Sequence, residues 1–215
     1  MDIQTKLTGF AMMGATWVMW VLIGLSVGGL AIALERAIYL LRTSDNIRRL
    51  RAEVLAYLRS GFIEAARARL AQSRSFEAQV VAAGISEDEG SASAEERMGG
   101  AAQIAKLRME KRLAFLGTLG SNAPFIGLLG TVIGIIRAFH ELNESAGKVT
   151  AGLMAEVGEA LVATAIGILV ALPAIAFFNF FQRAIKARLA RADAFGKDVL
   201  AVLKSRPSES LDRAA

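Results

Sequence analysis

The sequence predicts an all-α membrane protein with three transmembrane helices, two of them extended into long cytoplasmic helices, and a helical cytoplasmic domain. Hydrophobic residues make up 54% of the 215 residues, above the share that soluble globular domains usually carry. Three stretches contain no charged residue, and each exceeds the roughly 20 residues that a helix needs to cross a hydrocarbon core about 30 Å thick. These stretches are residues 7–34, 113–136 and 160–182.

The first apolar stretch is expected to be an uncleaved transmembrane helix. It is longer than the apolar core of a signal peptide, its only preceding basic residue is Lys6, and no small-residue cleavage site follows it. Because it is also longer than one span requires, we expect residues 7–15 to lie at the membrane interface.

The composition argues against several classes of site. The chain has no cysteine and one histidine, so we expect no disulfide, no thiol chemistry and no metal site. No glycine-rich phosphate loop is present, and the apolar stretches lack the side-chain constellations that catalysis needs. We therefore expect no cofactor and no enzymatic activity.

Basic residues beside the apolar stretches predict the orientation of the chain, because such residues favour the cytoplasmic side. They are Lys106, Arg108, Lys111, Arg112, Arg183, Lys186 and Arg188. The expected orientation has the N-terminus outside, the long loop inside, the short loop outside and the C-terminus in the cytoplasm. The basic residues could contact anionic lipid. Because they are interleaved with acidic and apolar residues, a nucleic-acid site is not expected.

This topology divides the chain into six segments. They are the N-terminal segment with transmembrane helix 1 (1–41), a cytoplasmic helical region (42–112), transmembrane helix 2 (113–139), a short periplasmic connection (140–158), transmembrane helix 3 (159–182) and a cytoplasmic helical tail (183–215).

Within the cytoplasmic region, short helices are predicted from apolar spacing and caps. Asp45 is expected to cap a helix whose apolar side chains are Ile47, Leu50, Val54 and Leu58. Gly61 is expected to end this helix. Two further short helices are expected, one containing Ala66 and Leu70 and one over 76–85, with a loop over 86–93.

Two long helices are predicted to continue through the membrane. Ser93 and Glu96 have the spacing of a capping box, and apart from Gly99, Gly100 and Pro124 no residue obviously ends the helix between there and Ile136. Thr150 is expected to begin a second long helix that continues through transmembrane helix 3 towards Pro207.

Small residues form one stripe on each of the last two transmembrane helices, because positions three and four apart share a helix face. In helix 2 the stripe is Gly117, Gly120, Pro124, Gly127, Thr131 and Gly134, with Gly130 beside it; in helix 3 it is Ala160, Thr164, Gly167, Ala171 and Ala174, with Pro173 beside it. One interpretation is close helix packing, with each threonine bonded to the preceding turn. The other is a narrow, weakly polar path, or a cradle for a partner helix.

No ionisable residue lies within an apolar stretch. The nearest acids are Glu159, at the outer end of helix 3, and Glu35, which with Arg36 forms an adjacent ion pair at the inner end of helix 1. Snorkelling at a helix end accounts for that pair more simply than a direct role does. Intramembrane proton transfer needs a titratable group. If the chain conducts protons, a second polypeptide must therefore supply the carboxylate.

The stripes lie in sequences that closely resemble the paired signature of the ExbB/TolQ/MotA proton-channel family. These sequences are SNAPFIGLLGTVIGIIRAF (121–139) and GEALVATAIGILVALPAIAFFNFF (158–181). The arrangement of three transmembrane helices is similar to that of ExbB and TolQ, whereas MotA has an additional one. The resemblance is strong over about 113–185 and weak over 42–105.

The resemblance implies a homopentamer around the single transmembrane helices of an ExbD- or TolR-like partner, which supplies a membrane aspartate. It also implies a location in the bacterial inner membrane, with the N-terminus periplasmic and the C-terminus cytoplasmic. It assigns Thr131 and Thr164 to the pore and Glu159 to the proton path, and places Pro173 in the same motif. A TonB- or TolA-like protein would then receive the mechanical work.

The chain is therefore expected to be a stator subunit driven by the proton motive force. The leading expectation is that it energises TonB-dependent outer-membrane transport. TolQ-like envelope maintenance and gliding motility are the alternatives within the family. A non-conducting membrane scaffold, assembled through the small-residue stripes, is the alternative from another class.

Overall fold

The computed structural model describes residues 14–85 and 91–205, and every regular element in these ranges is an α-helix. The helices are α1 (Thr16–Arg42), α2 (Ile47–Arg59), α3 (Ile63–Ala71), α4 (Phe76–Gly84), α5 (Ser91–Glu110), α6 (Leu113–Glu144) and α7 (Ala151–Lys204). Three helical regions, containing α1, α6 and α7, are long and apolar enough to cross a membrane. The predicted fold class, an all-α protein with three membrane-spanning helices and a helical remainder, is confirmed.

The described residues fall into two compact units. The first comprises the chain up to Glu35 together with 112–180, and it therefore holds the apolar part of all three long helices. Its core contains small and branched side chains, as expected where helices approach closely in lipid. The core residues are Ala15, Val18, Leu22, Leu119, Ala123, Ile133, Val170, Ala171 and Ala174.

Large apolar side chains cover the outside of this unit. Leu128 is 52% exposed and Leu169 is 69% exposed. Ile135 and Phe177 are exposed as well, whereas Ile166 packs against the core. Such surfaces are suited to lipid or to further helices.

The second unit comprises 36–111 and the described residues from Phe181 onward. Helix α2 buries Leu50, Val54 and Leu58, as its spacing predicts. Gly61 follows with a φ of +87°, a left-handed conformation that glycine adopts without steric cost. This turn ends α2 and starts α3, which buries Ala66 and Leu70.

The predicted helix caps in this unit need correction. The N-cap of α2 is Asn46, whose side chain accepts a hydrogen bond from the Arg49 amide. Asp45 instead accepts hydrogen bonds from the Asn46 amide and the Ser73 hydroxyl. Its tertiary contact with Ser73 fixes it one position outside the cap. Helix α5 includes Ser91, so the predicted capping serine, Ser93, lies inside the helix.

The predicted continuous helix from residue 94 to Ile136 is also wrong, because Lys111 and Arg112 interrupt it. Arg112 has a φ of +65°, and Leu113 begins a new helix. A left-handed residue costs about 1–2 kcal/mol when it carries a Cβ. Two contacts with α1 accompany the break: Arg112 pairs with Glu35 at 2.5 Å, and Arg36 donates to the Arg108 carbonyl at 3.1 Å.

A buried arginine satisfies backbone carbonyls at the end of α1. Arg188 of α7 donates to the Leu40 carbonyl at 2.6 Å and to the carbonyl and hydroxyl of Thr43. Carbonyls in the last turn of a helix lack partners within that helix. The Phe76 ring lies 5.8 Å from the guanidinium carbon, so Arg188 joins three elements of this unit.

Helix α7 begins where it was predicted to begin. The Thr150 hydroxyl accepts from the Leu153 amide and donates to a Glu141 carboxylate oxygen, each at 3.1 Å. The helix continues without interruption to Lys204. Its predicted end near Pro207, the interfacial assignment of 7–13 and most of the predicted loop over 86–93 lie outside the described residues.

Candidate functional site

The two small-residue stripes face each other across α6 and α7. Gly127 and Gly167 form the closest approach: a Cβ on Gly167 would lie 2.9 Å from the Gly127 Cα and 2.7 Å from the Ala123 carbonyl oxygen. Both neighbours are backbone atoms, so no rotamer change could make room. The two backbones meet here because neither residue has a side chain.

The other stripe glycines also lie against neighbouring atoms. A Cβ on Gly134 would lie 2.6 Å from the Ala160 Cβ, and one on Gly130 would lie 2.6 Å from the Ala163 Cβ. Gly120 lies against the Ile175 backbone and Gly117 against the Phe178 ring. Close packing therefore extends along most of the stripe.

Thr131 and Thr164 point towards each other within this interface, and their hydroxyl oxygens are in hydrogen-bonding contact. The Thr131 hydroxyl also lies 3.2 Å from the Ala160 carbonyl oxygen of α7. The Thr164 hydroxyl lies 3.2 Å from the Gly127 carbonyl oxygen of α6. Each threonine thus reaches the carbonyl one turn before the opposite threonine.

Hydrogen-bond stoichiometry limits which of these contacts can form together. Each hydroxyl has one proton to donate and two lone pairs to accept with. If Thr131 donates to Ala160, then Thr164 can donate either to Thr131 or to Gly127. Both residues are only partly buried, and a hydroxyl that accepts one hydrogen bond still has a lone pair for a further donor.

Two prolines lie inside the helices that carry the threonines. Pro124 in α6 is half-buried and Pro173 in α7 is exposed, and neither ends its helix. Because proline has no amide hydrogen, each leaves a carbonyl one turn earlier without its usual donor. These carbonyls add polarity to otherwise apolar helices.

Glu159 lies at the end of the interface nearest the start of α7 and accepts a hydrogen bond from α1. The Thr16 hydroxyl oxygen is 2.6 Å from the Glu159 Oε1 atom. One turn earlier in α7, Glu156 pairs with Arg137 of α6 at 2.6 Å. The sequence analysis did not identify Thr16, Arg137 or Glu156.

A recognisable signal did exist for part of this cluster. Glu156 precedes Glu159 by three residues, a spacing that places both on one helix face. Arg137 and Glu156 were assigned to the region outside the apolar stretches, but α6 continues to Glu144 and α7 begins at Ala151. Only residues 145–150 between them are non-helical. No local sequence pattern pointed to Thr16, because its partner Glu159 lies 143 positions away in the sequence.

At the opposite end of the apolar region, Glu35 and Arg36 each contact a residue near the α5–α6 break. Glu35 pairs with Arg112, while Arg36 is 5% exposed and donates to the Arg108 carbonyl. Arg36 also lies over the Tyr39 ring at 5.0 Å. These contacts stabilise a chain turn, consistent with a structural role.

Comparison with known proteins gives the family. The profile described as the MotA/TolQ/ExbB proton channel family matches residues 72–194, more than half of the chain. The ExbB-like 2 protein of Helicobacter pylori is 43% identical over 90 residues, which are 42% of this chain and 60% of that relative. The biopolymer transport protein ExbB of Aquifex aeolicus is 41% identical over 88 residues, 41% of this chain and 59% of the relative.

A third relative, the biopolymer transport protein ExbB of Xanthomonas campestris, is 39% identical over 92 residues, 43% of this chain and 36% of the relative. The alignments thus span between about a third and three fifths of these relatives. The family match includes both threonines, Glu159 and the interface glycines. The chain belongs to the MotA/TolQ/ExbB proton channel family, and with its three apolar helices it is a multi-pass inner-membrane protein.

Proposed function

We propose that this chain is the proton-channel subunit of an inner-membrane stator, which converts the proton motive force into mechanical work. The observation that carries the proposal is the contact between Thr131 and Thr164 in a region without ionisable side chains. Family membership supports the same function. Two hydroxyls placed together on facing helices can donate hydrogen bonds to a titratable group and accept hydrogen bonds from it.

The threonines would act by hydrogen bonding, because a hydroxyl does not release its proton at physiological pH. The titratable group is supplied by an ExbD- or TolR-like partner with one transmembrane helix and a membrane aspartate. The threonine pair donates to that carboxylate when it is ionised, and accepts from it, or from a bridging water, when it is protonated. The contact is kept in both states.

Glu159 would serve the same path from its outer end. Glu159 lies five positions before Thr164 in α7. The Thr16 hydroxyl of α1, a neutral group, donates a hydrogen bond to the Glu159 carboxyl group. A carboxyl group at this depth can pass protons between the outer aqueous phase and the threonine pair. Its assignment follows from the matching motif position.

Assembly and orientation complete the proposal. Five copies surround the partner helix, with the N-terminus periplasmic and the C-terminus cytoplasmic, and anionic lipid contacts the basic residues on the inner side. The work is delivered to a TonB-like protein for outer-membrane transport. The names of the relatives, which are biopolymer transport proteins, favour this over a TolA-linked or motility role. No enzymatic step and no cofactor are needed.

Proton flux into liposomes tests the proposal. The protein is reconstituted alone, with its ExbD-like partner, and with that partner after Thr164→Val, which removes the hydroxyl and keeps the branched shape. Thr118→Val is the matched control, because it makes the same change at an exposed threonine of α6 that lies away from the threonine pair. We expect partner-dependent flux that Thr164→Val lowers about tenfold and Thr118→Val leaves unchanged.

The outcomes separate the mechanisms. Flux from the chain alone would contradict the requirement for a borrowed carboxylate. Equal flux in wild type and Thr164→Val would remove the threonine pair from the path. Sedimentation or light scattering of each variant shows whether the oligomer is intact, so that a loss of flux is not confused with a loss of assembly.

The close backbone approach at Gly127 and Gly167 favours one further candidate, a non-conducting scaffold. In that case the threonines only join α6 to α7, since their hydroxyls can be satisfied by the Gly127 and Ala160 carbonyls. A scaffold predicts that the double variant Thr131→Val with Thr164→Val remains functional in cells, while Gly167→Leu abolishes assembly. Loss of function in the assembled double variant would exclude this candidate.

A further inference from the structure

The outer ends of α1, α6 and α7 carry a polar cluster beyond the threonine pair. It consists of two contacts between helices: Thr16 with Glu159, and Arg137 with Glu156, each at 2.6 Å. Gly14, with a φ of +83°, lies two residues before α1, and a Cβ there would collide with Nη1 of Arg137. The start of α1 is thus held against the other two helices.

Packing fixes where the Thr16 side chain can lie. Its neighbours Ala15 and Val18 are 1% and 0% exposed, in the core of the first unit. With these residues held, Thr16 at the first position of α1 has little freedom to move away from α7. The Thr16 side chain itself is exposed, so packing places its backbone and the hydrogen bond to Glu159 orients its hydroxyl.

The two acids in this cluster have different kinds of partner. Glu156 is 17% exposed at its side chain and pairs with the guanidinium of Arg137. Glu159 contacts a neutral hydroxyl. A hydroxyl donates to a carboxylate and accepts from a carboxylic acid, so this contact persists in either protonation state.

We propose that Thr16 is a positioning residue for Glu159: its hydroxyl holds the Glu159 carboxyl group in place through each cycle of proton uptake and release. Helix α1 then contributes directly to the proton path, although it carries none of the stripe residues. The proposal rests on the function proposed above for Glu159. Arg137 pairs with Glu156 one turn away, and among the described residues the Thr16 hydroxyl donates a hydrogen bond to Glu159.

Infrared spectroscopy of the purified, full-length protein tests the contact without the partner. The difference spectrum between wild type and Glu159→Gln assigns the carboxyl bands of Glu159. We expect Thr16→Val to shift these bands, and both Thr16→Ser, which keeps the hydroxyl, and Thr118→Val to leave them in place. If Thr16 had only a packing role, Thr16→Ser would not keep the Glu159 bands at their wild-type position.

Partner-dependent flux in liposomes then tests the role. We expect Thr16→Val to lower flux about tenfold, Thr16→Ser to restore most of it, and Thr16→Val to add little in a Glu159→Gln background. Unshifted bands, or full flux in Thr16→Val, would overturn the positioning role while leaving the proposed function intact. Absence of partner-dependent flux in the wild type would instead contradict the proposed function, and the infrared result still decides the contact.

Discussion

Thr131 of α6 and Thr164 of α7 form a reciprocal pair, in which each hydroxyl approaches the backbone carbonyl one turn before the other threonine. The arrangement depends on Gly127 and Gly167, because only residues without a Cβ allow the two backbones to come this close. The closest backbone packing and the two hydroxyl groups therefore lie at the same point of the interface. The predictions below separate the two contributions.

Gly167→Ala is expected to destabilise the first unit. The new Cβ would meet the Ala123 carbonyl oxygen at 2.7 Å and the Gly127 Cα at 2.9 Å, so the helices would have to separate. Overpacking of this kind typically costs about 1–3 kcal/mol. Thermal unfolding in detergent measures the effect.

The control for that measurement is Gly24→Ala in α1. A Cβ on Gly24 would meet no atom within 4 Å, so its unfolding temperature should equal or slightly exceed that of the wild type. If both alanine variants unfolded at the wild-type temperature, the close approach at Gly167 would not contribute to stability.

Glu159→Gln is expected to abolish most partner-dependent proton flux while the oligomer stays assembled. The amide keeps the size of the side chain and can still contact Thr16, but it cannot exchange a proton. Loss of a positioned acid–base group usually costs about 100-fold or more. Glu144→Gln, which changes an exposed acid near the end of α6, is the control. Wild-type flux in Glu159→Gln would remove Glu159 from the mechanism.

Stability of the second unit should fall as the pH rises, because of Glu77. This side chain is 2% exposed, and burial raises its pKa above the ordinary value, although Arg188 and Arg191 oppose the shift. In the unfolded chain the group ionises near pH 4.3. The native state therefore loses stability as the pH rises from about that value through the raised pKa.

Glu77→Gln tests this dependence, since glutamine keeps the shape without a titrating group. We expect the unfolding temperature of Glu77→Gln to change less between pH 4.5 and 8 than that of the wild type, and to be higher than that of the wild type near pH 8. The exposed Glu64→Gln serves as the control and should leave the slope unchanged, because exposed ion pairs such as Glu64–Arg67 contribute little. A wild-type slope in Glu77→Gln would contradict the assignment.

The membrane-spanning helices and the register of the threonines could be predicted because they follow from local rules. Uncharged stretches of sufficient length identify the three helices, and spacings of three and four place Thr131 among glycines on one face. The same spacing places Thr164 on the matching face of α7. Helical periodicity also predicted the buried side of α2.

The contacts between distant segments could not be predicted from local patterns. Lysine and arginine are good helix formers, so nothing at Lys111 or Arg112 indicates a break; it is fixed by contacts with Glu35 and Arg36, more than 70 positions away. The Asp45 cap was misplaced because Ser73 binds that carboxylate. Thr16 was missed for the same kind of reason.

A double-mutant cycle on partner-dependent proton flux tests the central claim most directly, using Thr131→Val, Thr164→Val and the combination, with assembly verified for each. If the two hydroxyls act as one unit, each single variant should lower flux about tenfold and the double variant should lower it little further. Wild-type flux in the assembled double variant would contradict the claim that this pair serves the proton path.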